Sequence, residues 1–445
     1  MSGVRVPHRK NTAGCLPKRI PLPETVVIPM SMHIGAPSKP LVKVGDEVKV
    51  GQIIAEEGGY ISAPIHASVA GKVTKIDTIL LSNGRYMPAV TIRTSAEQPL
   101  AEGLVPPQIT CKEDFLNAVK ASGVVGLGGA GFPTMPKLTV KSKVDFILIN
   151  GAECEPYITS DTRTMLDRTE LLMSGIELLK RYLQPGHVVI GIEDNKKDCI
   201  EIYKKRCANL HDVDVAVLPA IYPQGGEKVL IYNVTGRVVP AGKLPIDVGC
   251  IVINCTTLAA IAEYIKTGIP LIEKVVTVDG SAVKNPGNVI APVGTLMKDL
   301  FDFCGGFKEE PCKVLYGGPM MGIAVPDLDQ PVMKNTNAIL AFNEKDSKPP
   351  VSTACIHCGR CTAACPLKIT PFEIERAFNT KNDEKLEALN VMNCMECGCC
   401  SFVCPAKRPL VQVHKLAKQR VKAYQQKKKE EAERAAAEGG AEKHE

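Results

Sequence analysis

Tryptophan is absent from the chain, and aromatic residues make up only 4% of its 445 residues. Nucleic-acid-binding surfaces interleave basic and aromatic side chains, and no such pattern occurs here, so we expect no nucleic-acid partner. Long uninterrupted apolar runs are also missing. The longest, from Val248 to Ile265, is broken by polar residues that include Asn254 and Glu263. We therefore predict no transmembrane helix.

The first fourteen residues, MSGVRVPHRKNTAG, lack the apolar stretch of a signal peptide, so we expect none. The net charge of +6 is modest, and much of the lysine lies near the C-terminus. This charge is only weak evidence for an acidic partner or a membrane surface. The 18 cysteines show no disulfide framework outside one region. Unpaired thiols are typical of a reducing compartment, and we expect a cytosolic location.

Two copies of the pattern C-x₂-C-x₂-C-x₃-C-P lie near the C-terminus. In this pattern the first three thiolates hold one iron–sulfur cluster and the fourth holds the neighbouring cluster. We therefore predict two [4Fe–4S] clusters with crossed ligation. The expected ligands are Cys355, Cys358, Cys361 and Cys404 for the first cluster, and Cys365, Cys394, Cys397 and Cys400 for the second.

The alternative interpretation is a pair of structural zinc sites, because C-x₂-C also occurs in zinc knuckles. A structural zinc site would not explain the third cysteine in each copy or the Cys-Pro endings. Cys399 is the remaining thiol of the second copy, and we expect it to be a packed residue that is not a ligand. Between the copies, Pro371 can begin a helix and Asn382 or Asp383 a second one. Two such helices favour an α-helical ferredoxin module.

Residues 26–95 contain short apolar strands broken by glycine and proline. The stretches KVGDEVKVGQIIAE and ISAPIHASVAGKV resemble the barrel-sandwich fold of biotinyl and lipoyl domains. Those domains carry a lysine at a hairpin tip, whereas the equivalent tip here, Glu56 to Tyr60, has none. The resemblance therefore implies a structural or docking domain. His33 and His66 have no ligand partners at metal-binding spacing, so we expect neither to bind a metal.

After residue 110 the pattern changes to alternating helices and strands, which predicts a mostly parallel sheet covered by helices. One helix is predicted over Arg163–Tyr182. The loop GLGGAG, starting at Gly126, can let backbone N–H groups approach a phosphate, although tight turns also use glycines. NGAECEP, starting at Asn150, follows a strand at the sheet edge where ligands bind in open α/β folds. The alternative for its acids, Glu153 and Glu155, is a solvated turn.

Taken together, VVGLGGAGFPTMPKL, NGAECEP, YPQGGEK and INCTT are similar to the flavin- and NADH-binding subunit of respiratory complex I. SMHIGAPSKPLVKVGDEVKVGQ, YGGPMMGIA and PVMKNTNAIL extend the resemblance, over nearly the whole chain, to the C subunits of Rnf-type ferredoxin:NAD⁺ oxidoreductase complexes. This resemblance implies FMN contacts for Gly126, Gly128, Lys137, Asn150, Glu153, Tyr222, Gly225, Asn254 and Thr257. It implies contacts with the nicotinamide nucleotide for Gly129, Phe132, Glu155 and Glu227. The chain departs from the complex I pattern at Ala152 and Gly226, where acids are replaced.

The expected fold class is multidomain α/β and α+β. The expected domains are an extension (1–25), a barrel-sandwich hybrid (26–98), a Rossmann-like FMN/NAD domain (111–268), a β-grasp module of the soluble-ligand-binding (SLBB) type (269–310), a connector (311–350), a dicluster ferredoxin module (351–414) and a charged tail (415–445). From Lys415 onward we expect a frayed helix or disorder.

The resemblance implies an oxidoreductase that passes electrons between NAD(H) and ferredoxin-derived carriers through FMN and two [4Fe–4S] clusters. A flavin is needed because nicotinamide exchanges two electrons at once, whereas a cluster carries one. Other members of the complex, membrane-bound and ferredoxin-like, would hold the chain at the cytoplasmic face of the membrane and couple electron transfer to ion translocation. Two alternatives remain open: a soluble flavin/iron–sulfur reductase, such as a cobalamin reductase, and a scaffold protein with a decayed flavin site.

Overall fold

The computed structural model of the chain describes residues 3–82 and 84–441. By their internal contacts these residues divide into two compact units. The large unit comprises residues 7–220 and 227–348. The cluster unit comprises residues 3–6, 221–226 and 349–441. The cluster unit is thus assembled from three stretches that are far apart in the sequence.

The N-terminal part of the large unit is built from antiparallel strands, apart from the first, which pairs in parallel with a later strand. Its strands are β1 (Lys18–Arg19), β2 (Thr25–Pro29), β3 (Lys39–Pro40), β4 (Glu47–Val48), β5 (Ile53–Glu56), β6 (Ile65–His66), β7 (Gly71–Leu80) and β8 (Tyr86–Thr94). Two sheets, with orders β2-β8-β7-β4 and β3-β5-β6, share one apolar core. Ile28, Ile54 and Ile65 are fully buried in it. The two facing sheets agree with the predicted barrel-sandwich hybrid.

An α/β region follows, in which helices alternate with strands as predicted. Its elements are α1 (Lys112–Ala121), α2 (Thr134–Leu138), β9 (Phe146–Gly151), α3 (Ser160–Asp167), α4 (Thr169–Leu183), β10 (His187–Glu193), α5 (Lys197–Cys207), β11 (Val213–Leu218), α6 (Glu227–Thr235), β12 (Cys250–Asn254) and α7 (Cys255–Thr267). The strands are parallel in the order β11-β10-β9-β12. Their apolar residues are buried beneath helices, as expected for a parallel sheet.

The single helix predicted over Arg163–Tyr182 is wrong, because the chain forms two helices there. Arg168 leaves the helical conformation, with φ −123° and ψ 32°, and its guanidinium pairs with Glu263 on α7 at 2.7 Å. Tertiary pairing thus interrupts a stretch whose local sequence favours one helix.

The last part of the large unit is a mixed sheet. Its elements are β13 (Glu273–Asp279), β14 (Gly287–Pro292), α8 (Met297–Phe303), β15 (Lys313–Tyr316), β16 (Ile323–Ala324), β17 (Ala338–Phe342) and α9 (Glu344–Ser347). The strand order is β1-β14-β13-β17-β15-β16. The segment 311–350, expected to be a connector, therefore supplies strands β15, β16 and β17 to this sheet.

The cluster unit is helical. Its helices are α10 (Arg360–Ala364), α11 (Pro371–Asn379), α12 (Asp383–Ala388), α13 (Cys399–Val403) and α14 (Leu410–Ala441). Pro371 occupies the first turn of α11, as predicted. The side chain of Asn382 caps α12 by accepting a hydrogen bond from Lys385 N. The two helices expected between the cysteine motifs are confirmed.

Helix α14 is longer and better packed at its start than the sequence indicated. It continues to Ala441, and Ala417 and Val421 are fully buried against Ile374 and Leu386. The prediction of a frayed or disordered tail from Lys415 is wrong for this first part, because apolar residues recur on one face. The last predicted tail residues, 442–445, lie outside the described residues.

In the described part of the chain, no helix combines the length and the apolar content that a membrane span requires. All the cysteines are among the described residues, and none forms a disulfide.

Candidate functional site

Two asparagines lie side by side at the carboxyl edge of the parallel sheet. Asn150 near the end of β9 and Asn254 at the end of β12 are register partners. Asn254 caps α7: its Oδ1 accepts a hydrogen bond from Thr257 N at 3.1 Å, and its Nδ2 donates to Asp161 at 2.7 Å. Asn150 Oδ1 accepts one from Ala152 N at 3.1 Å. The edge at which open α/β sheets bind ligands is therefore lined by amides.

The glycine-rich loop is fastened to this same edge. Leu127 N donates to Thr257 Oγ1 at 2.9 Å. The loop also closes on itself, since Gly126 N donates to Phe132 O at 2.8 Å and Gly131 N donates to Gly126 O at 3.1 Å. The structure therefore brings this loop together with Asn150, Asn254 and Thr257, all of them predicted site residues.

The loop leaves donors available for an anion. Gly128 and Gly129 are exposed, and within the described residues their N–H groups find no protein acceptor. A Cβ placed on Gly128 would lie only 2.8 Å from Asn254 Nδ2, so a larger residue there would crowd the edge of the sheet. Exposed N–H groups beside glycines fit a phosphate group, as FMN would require.

Lys137 and Glu227 form an ion pair beside the loop. Lys137 is on α2 and Glu227 begins α6, and their charged atoms are 2.7 Å apart. Lys137 Nζ also donates to Val252 O at 2.9 Å. Both side chains are partly exposed, so the ammonium group remains reachable by an anionic ligand.

Glu153, a predicted FMN contact, is buried and serves the protein itself. Its carboxylate accepts hydrogen bonds from Asp161 N at 2.7 Å, from Thr162 N at 3.3 Å and from Thr162 Oγ1 at 2.7 Å. Burial raises the pKa of this carboxyl. These bonds place a carboxylate at the N-terminus of α3, where the helix dipole stabilises it.

Glu155 binds a different loop. Its oxygens accept hydrogen bonds from Met320 N at 3.1 Å and Met321 N at 2.7 Å, in the stretch YGGPMMG. A Cβ on Gly318 would lie 2.2 Å from Glu155 Oε2, so that glycine makes the approach possible. Burial raises the pKa of Glu155 to about 7, although the two N–H groups act in the opposite direction.

Lys10 contacts the candidate site, and sequence reasoning missed it. Its Nζ donates to the carbonyl oxygens of Glu153, Glu155 and Ile158 at 2.6–2.8 Å. Burial lowers the pKa of this amine, against the attraction of the Glu153 carboxylate. One ammonium group thus organises the backbone of the NGAECEP loop. No pattern in the sequence around Lys10 indicates these contacts, because the acceptors lie more than a hundred positions away.

Three further contacts hold the glycine-rich loop from outside the parallel sheet. Ile34 N donates to Gly131 O at 3.0 Å, and Asn335 Nδ2 donates to Gly129 O at 2.8 Å. Lys274 Nζ lies 3.4 Å from Leu127 O, and burial lowers the pKa of this lysine to about 8. Asn335 lies within PVMKNTNAIL, so that motif has a direct contact with the loop.

Tyr222 and Gly225 belong to the cluster unit, whereas the other predicted flavin and nucleotide residues belong to the large unit. The departures from the complex I pattern have local explanations. Ala152 is buried among apolar residues that include Leu148 and Leu230, where a carboxylate would be costly. A Cβ on Gly226 would lie 2.3 Å from Met395 Cε, so a larger residue needs Met395 to move.

The first set of predicted cluster ligands surrounds a cavity. Cys355, Cys358, Cys361 and Cys404 all line it. The ion pair of Glu375 and Arg408, at 2.8 Å, lies at the same cavity. Cys358 is exposed, whereas Cys361 is only 8% exposed. The fourth thiol thus comes from the second motif, as crossed ligation requires.

The second set lines a separate cavity, formed by Cys365, Cys394, Cys397 and Cys400. His414 contacts this set, with Nδ1 3.4 Å from Cys394 Sγ. In the part of the chain that the structure describes, no three His, Cys, Asp or Glu side chains converge closely enough for a single metal ion. Two separate sets of four thiols around open cavities fit iron–sulfur clusters, whose ligands surround several metal atoms.

Four family models match the chain in the predicted order. They are the RnfC barrel-sandwich hybrid domain at residues 1–97, the Nuo51 FMN-binding domain at 119–263, the SLBB domain at 275–324 and the 4Fe-4S dicluster domain at 351–436. These matches confirm the predicted fold class and the two types of cofactor. The dicluster match favours iron–sulfur clusters over zinc.

Curated relatives match over most of their length. The C subunit of the proton-translocating ferredoxin:NAD(+) oxidoreductase complex of Clostridium ljungdahlii is 42% identical, covering 91% of this chain and 90% of the relative. Its counterpart in the Na(+)-translocating complex of Acetobacterium woodii is 41% identical, covering 96% and 97%. The C subunit of the ion-translocating oxidoreductase complex of Rhodobacter capsulatus is 38% identical, covering 95% and 82%.

Among solved structures, an NAD⁺-reducing [NiFe]-hydrogenase in the air-oxidized state aligns with 62% of this chain and 54% of its own, at 21% identity and a TM-score of 0.48. That likeness is too distant to support an argument about function. The curated relatives, in contrast, are similar over nearly the whole chain. The chain therefore belongs to the RnfC family, the C subunits of Rnf complexes.

Proposed function

We propose that this chain exchanges electrons between NAD(H) and ferredoxin-derived carriers, as a peripheral member of an Rnf-type complex whose other subunits couple the transfer to ion translocation. The observation that carries the proposal is the presence, in one chain, of an anion-accepting glycine loop at the edge of a parallel sheet and of two sets of four thiols. The relatives, matched over 82–97% of their length, bear names of ion-translocating ferredoxin:NAD⁺ oxidoreductase or ion-translocating oxidoreductase subunits.

The flavin site that we propose lies at the loop Gly126–Gly131 and the asparagines beside it. The exposed N–H groups of Gly128 and Gly129 would hold the FMN phosphate, and the Lys137 ammonium would add positive charge. Bound FMN would supply the conversion between two-electron and one-electron transfer. Asn150, Asn254 and Thr257 fix the edge against which the flavin would lie. Gly126 and Glu153 complete the part of the proposed FMN set that lies in the large unit. Tyr222 and Gly225, which the resemblance also implies as FMN contacts, lie in the cluster unit.

Gly129, Phe132, Glu155 and Glu227 form the proposed set for the nicotinamide nucleotide. Their positions support different roles. Gly129 presents a free N–H group, whereas Glu155 and Glu227 are already paired with backbone N–H groups and with Lys137. We assign the eight cluster cysteines to two [4Fe–4S] clusters, the first held by the set with Cys404 and the second by the set with Cys365.

A soluble flavin/iron–sulfur reductase is the competing function, because it would use similar flavin and cluster modules. The match of residues 1–97 to the RnfC barrel-sandwich domain favours the Rnf-type complex. We also propose that partner subunits hold the chain at the cytoplasmic face of the membrane. Fractionation of native cells tests this: the chain should sediment with membranes when the partner genes are present and should remain in the supernatant when they are deleted.

The flavin site is tested by Gly128→Val. The added side chain crowds Asn254 and covers the free N–H groups, so the purified variant should lose FMN and NADH-driven reduction of an artificial acceptor. Gly14→Val is the matched control, since a Cβ at Gly14 meets nothing within 4 Å. The clusters of both variants should remain reducible by dithionite. Full FMN in Gly128→Val would place the flavin elsewhere, and loss of flavin and clusters together would show that the loop is structural.

A further inference from the structure

The segment 221–226 is built into the cluster unit and not into the α/β region that flanks it in sequence. Its backbone pairs with the N-terminal part of the chain: Val4 N donates to Tyr222 O at 2.8 Å, and Tyr222 N donates to Val4 O at 3.0 Å. These reciprocal bonds fix Tyr222 within the unit.

The Tyr222 side chain ends at the backbone of a predicted cluster ligand. Its hydroxyl donates to Cys397 O at 2.7 Å, and the residue is only 2% exposed. Cys399 Sγ lies 3.9 Å from Tyr222 O. A Cβ on Gly226 would overlap Met395 Cε, at 2.3 Å. The segment thus contacts Met395, Cys397 and Cys399 in the second cysteine motif.

The first motif provides an internal comparison, because its backbone is similar. His357 and Glu396 have φ of 54° and 59°, and the glycines that follow the middle cysteines, Gly359 and Gly398, have φ of 72° and 79°. Cys358 in the first motif corresponds to Cys397 in the second. Cys358 is exposed, whereas Cys397 is buried and its carbonyl is bound by a tyrosine.

We propose that Tyr222 is a positioning residue for the second [4Fe–4S] cluster. This inference rests on the proposed function, which places a cluster at Cys365, Cys394, Cys397 and Cys400. A hydrogen bond to the Cys397 carbonyl fixes the peptide that carries one ligand of this cluster. Outer-shell contacts and solvent exposure set the reduction potentials of iron–sulfur clusters. Tyr222 therefore tunes the second cluster and leaves the first unchanged.

The test is redox titration of the full-length holoprotein, followed by electron paramagnetic resonance. Tyr222→Phe removes the hydroxyl and keeps the ring, so one of the two cluster transitions should shift in midpoint potential and the other should not. Tyr203→Phe is the matched control. Tyr203 is fully buried in the large unit and donates to Met165 O at 2.8 Å, so its loss should shift neither transition. Unchanged transitions in Tyr222→Phe, or equal shifts of both, would overturn the inference.

A second variant keeps the proposal testable if Tyr222→Phe purifies poorly. Gly226→Ala should displace Met395, which lines the second cavity, and should shift the same transition. An unchanged transition in Gly226→Ala would count against the inference. Loss of FMN from Tyr222→Phe with both cluster transitions unchanged would assign Tyr222 to the flavin instead, leaving the proposed function intact. Absence of FMN and clusters from the unaltered protein would reject the proposed function itself.

Discussion

Lys137 Nζ lies 2.7 Å from Glu227 Oε1, so two side chains with different expected ligands are paired with each other. The resemblance assigns Lys137 to FMN and Glu227 to the nicotinamide nucleotide. Their side chains are 31% and 38% exposed, and an ion pair so exposed contributes less than about 1 kcal/mol to stability. An arriving phosphate can therefore compete with Glu227 for Lys137 at little cost to the fold.

Removing Lys137 should weaken flavin binding more than it weakens the protein. Lys137→Met should raise the Kd of FMN for the flavin-free protein by about tenfold or more, because a charge-assisted contact is lost, while the melting temperature changes little. Quenching of flavin fluorescence measures the Kd. Lys143→Met is the control, since Lys143 is 87% exposed and 3.9 Å from its partner. Equal weakening in both variants would contradict the role assigned to Lys137.

Glu155 should make the stability of the protein depend on pH. Its pKa is raised from 4.5 to about 7 by burial. Between these values the unfolded chain is ionised while the folded chain retains the proton, so stability falls as the pH rises through this window and levels off above about 7. Glu155→Gln removes the titration, so the melting temperature of the unaltered protein, relative to this variant, should fall from about pH 5 to about pH 8. Glu177→Gln, at an exposed position on α4, is the control. A constant difference for Glu155→Gln would contradict the prediction.

Loss of Lys10 should loosen the NGAECEP loop. Lys10→Met removes one donor from each of three carbonyl oxygens and removes the ammonium group 4.0 Å from the Glu153 carboxylate. We expect a loss of about 3 kcal/mol in the free energy of unfolding, measured by urea denaturation, together with a lower FMN content. Lys18→Met, an exposed position in the same N-terminal extension, should change neither. Unaltered stability in Lys10→Met would show that water replaces the ammonium group.

Crossed ligation predicts which cysteine variants act together. Cys365→Ala and Cys400→Ala should each remove about four iron atoms per chain, and the double variant should remove no more, because both cysteines serve one cluster. Combining Cys365→Ala with Cys361→Ala should remove both clusters. Iron and acid-labile sulfide assays measure the loss, with Cys399→Ala as a variant that retains both clusters. Uncrossed ligation would give the opposite result: the Cys365/Cys400 double variant would lose both clusters, and the Cys365/Cys361 double variant would lose only one.

Features with a local signature could be predicted from the sequence. The alternation of helices and strands after residue 110 follows from the sequence pattern, and the start of α11 at Pro371 follows from proline geometry. The structure has both features. The placement of NGAECEP, with Asn150, at the carboxyl edge of the sheet was also predicted, because open α/β sheets bind ligands at that edge. The role of Asn254 was implied only by the family resemblance.

Features that depend on distant partners could not be predicted. Nothing near Lys10 in the sequence indicates that its ammonium group binds carbonyls about 145 positions away. The motif around Glu153 resembles one that contacts a ligand. In the structure, however, the carboxylate oxygens of Glu153 accept hydrogen bonds from the N-terminus of α3. Tyr222 lies in a stretch that resembles a flavin-binding motif. Only the folded structure shows the hydrogen bond from its hydroxyl to Cys397 O. In each case the tertiary contact leaves no periodicity or spacing in the local sequence.

The three-part composition of the cluster unit has a consequence for how the protein is made. Tyr222 and Cys397 are 175 positions apart in the chain, and Val4 must join them, so large loops have to close before this unit is complete. During translation the segments around Val4 and Tyr222 leave the ribosome well before the cysteines of the second motif, which the Tyr222 segment contacts. A C-terminal fragment beginning at residue 349 would lack both segments. We therefore expect the clusters to be inserted late, after the whole polypeptide has been synthesised.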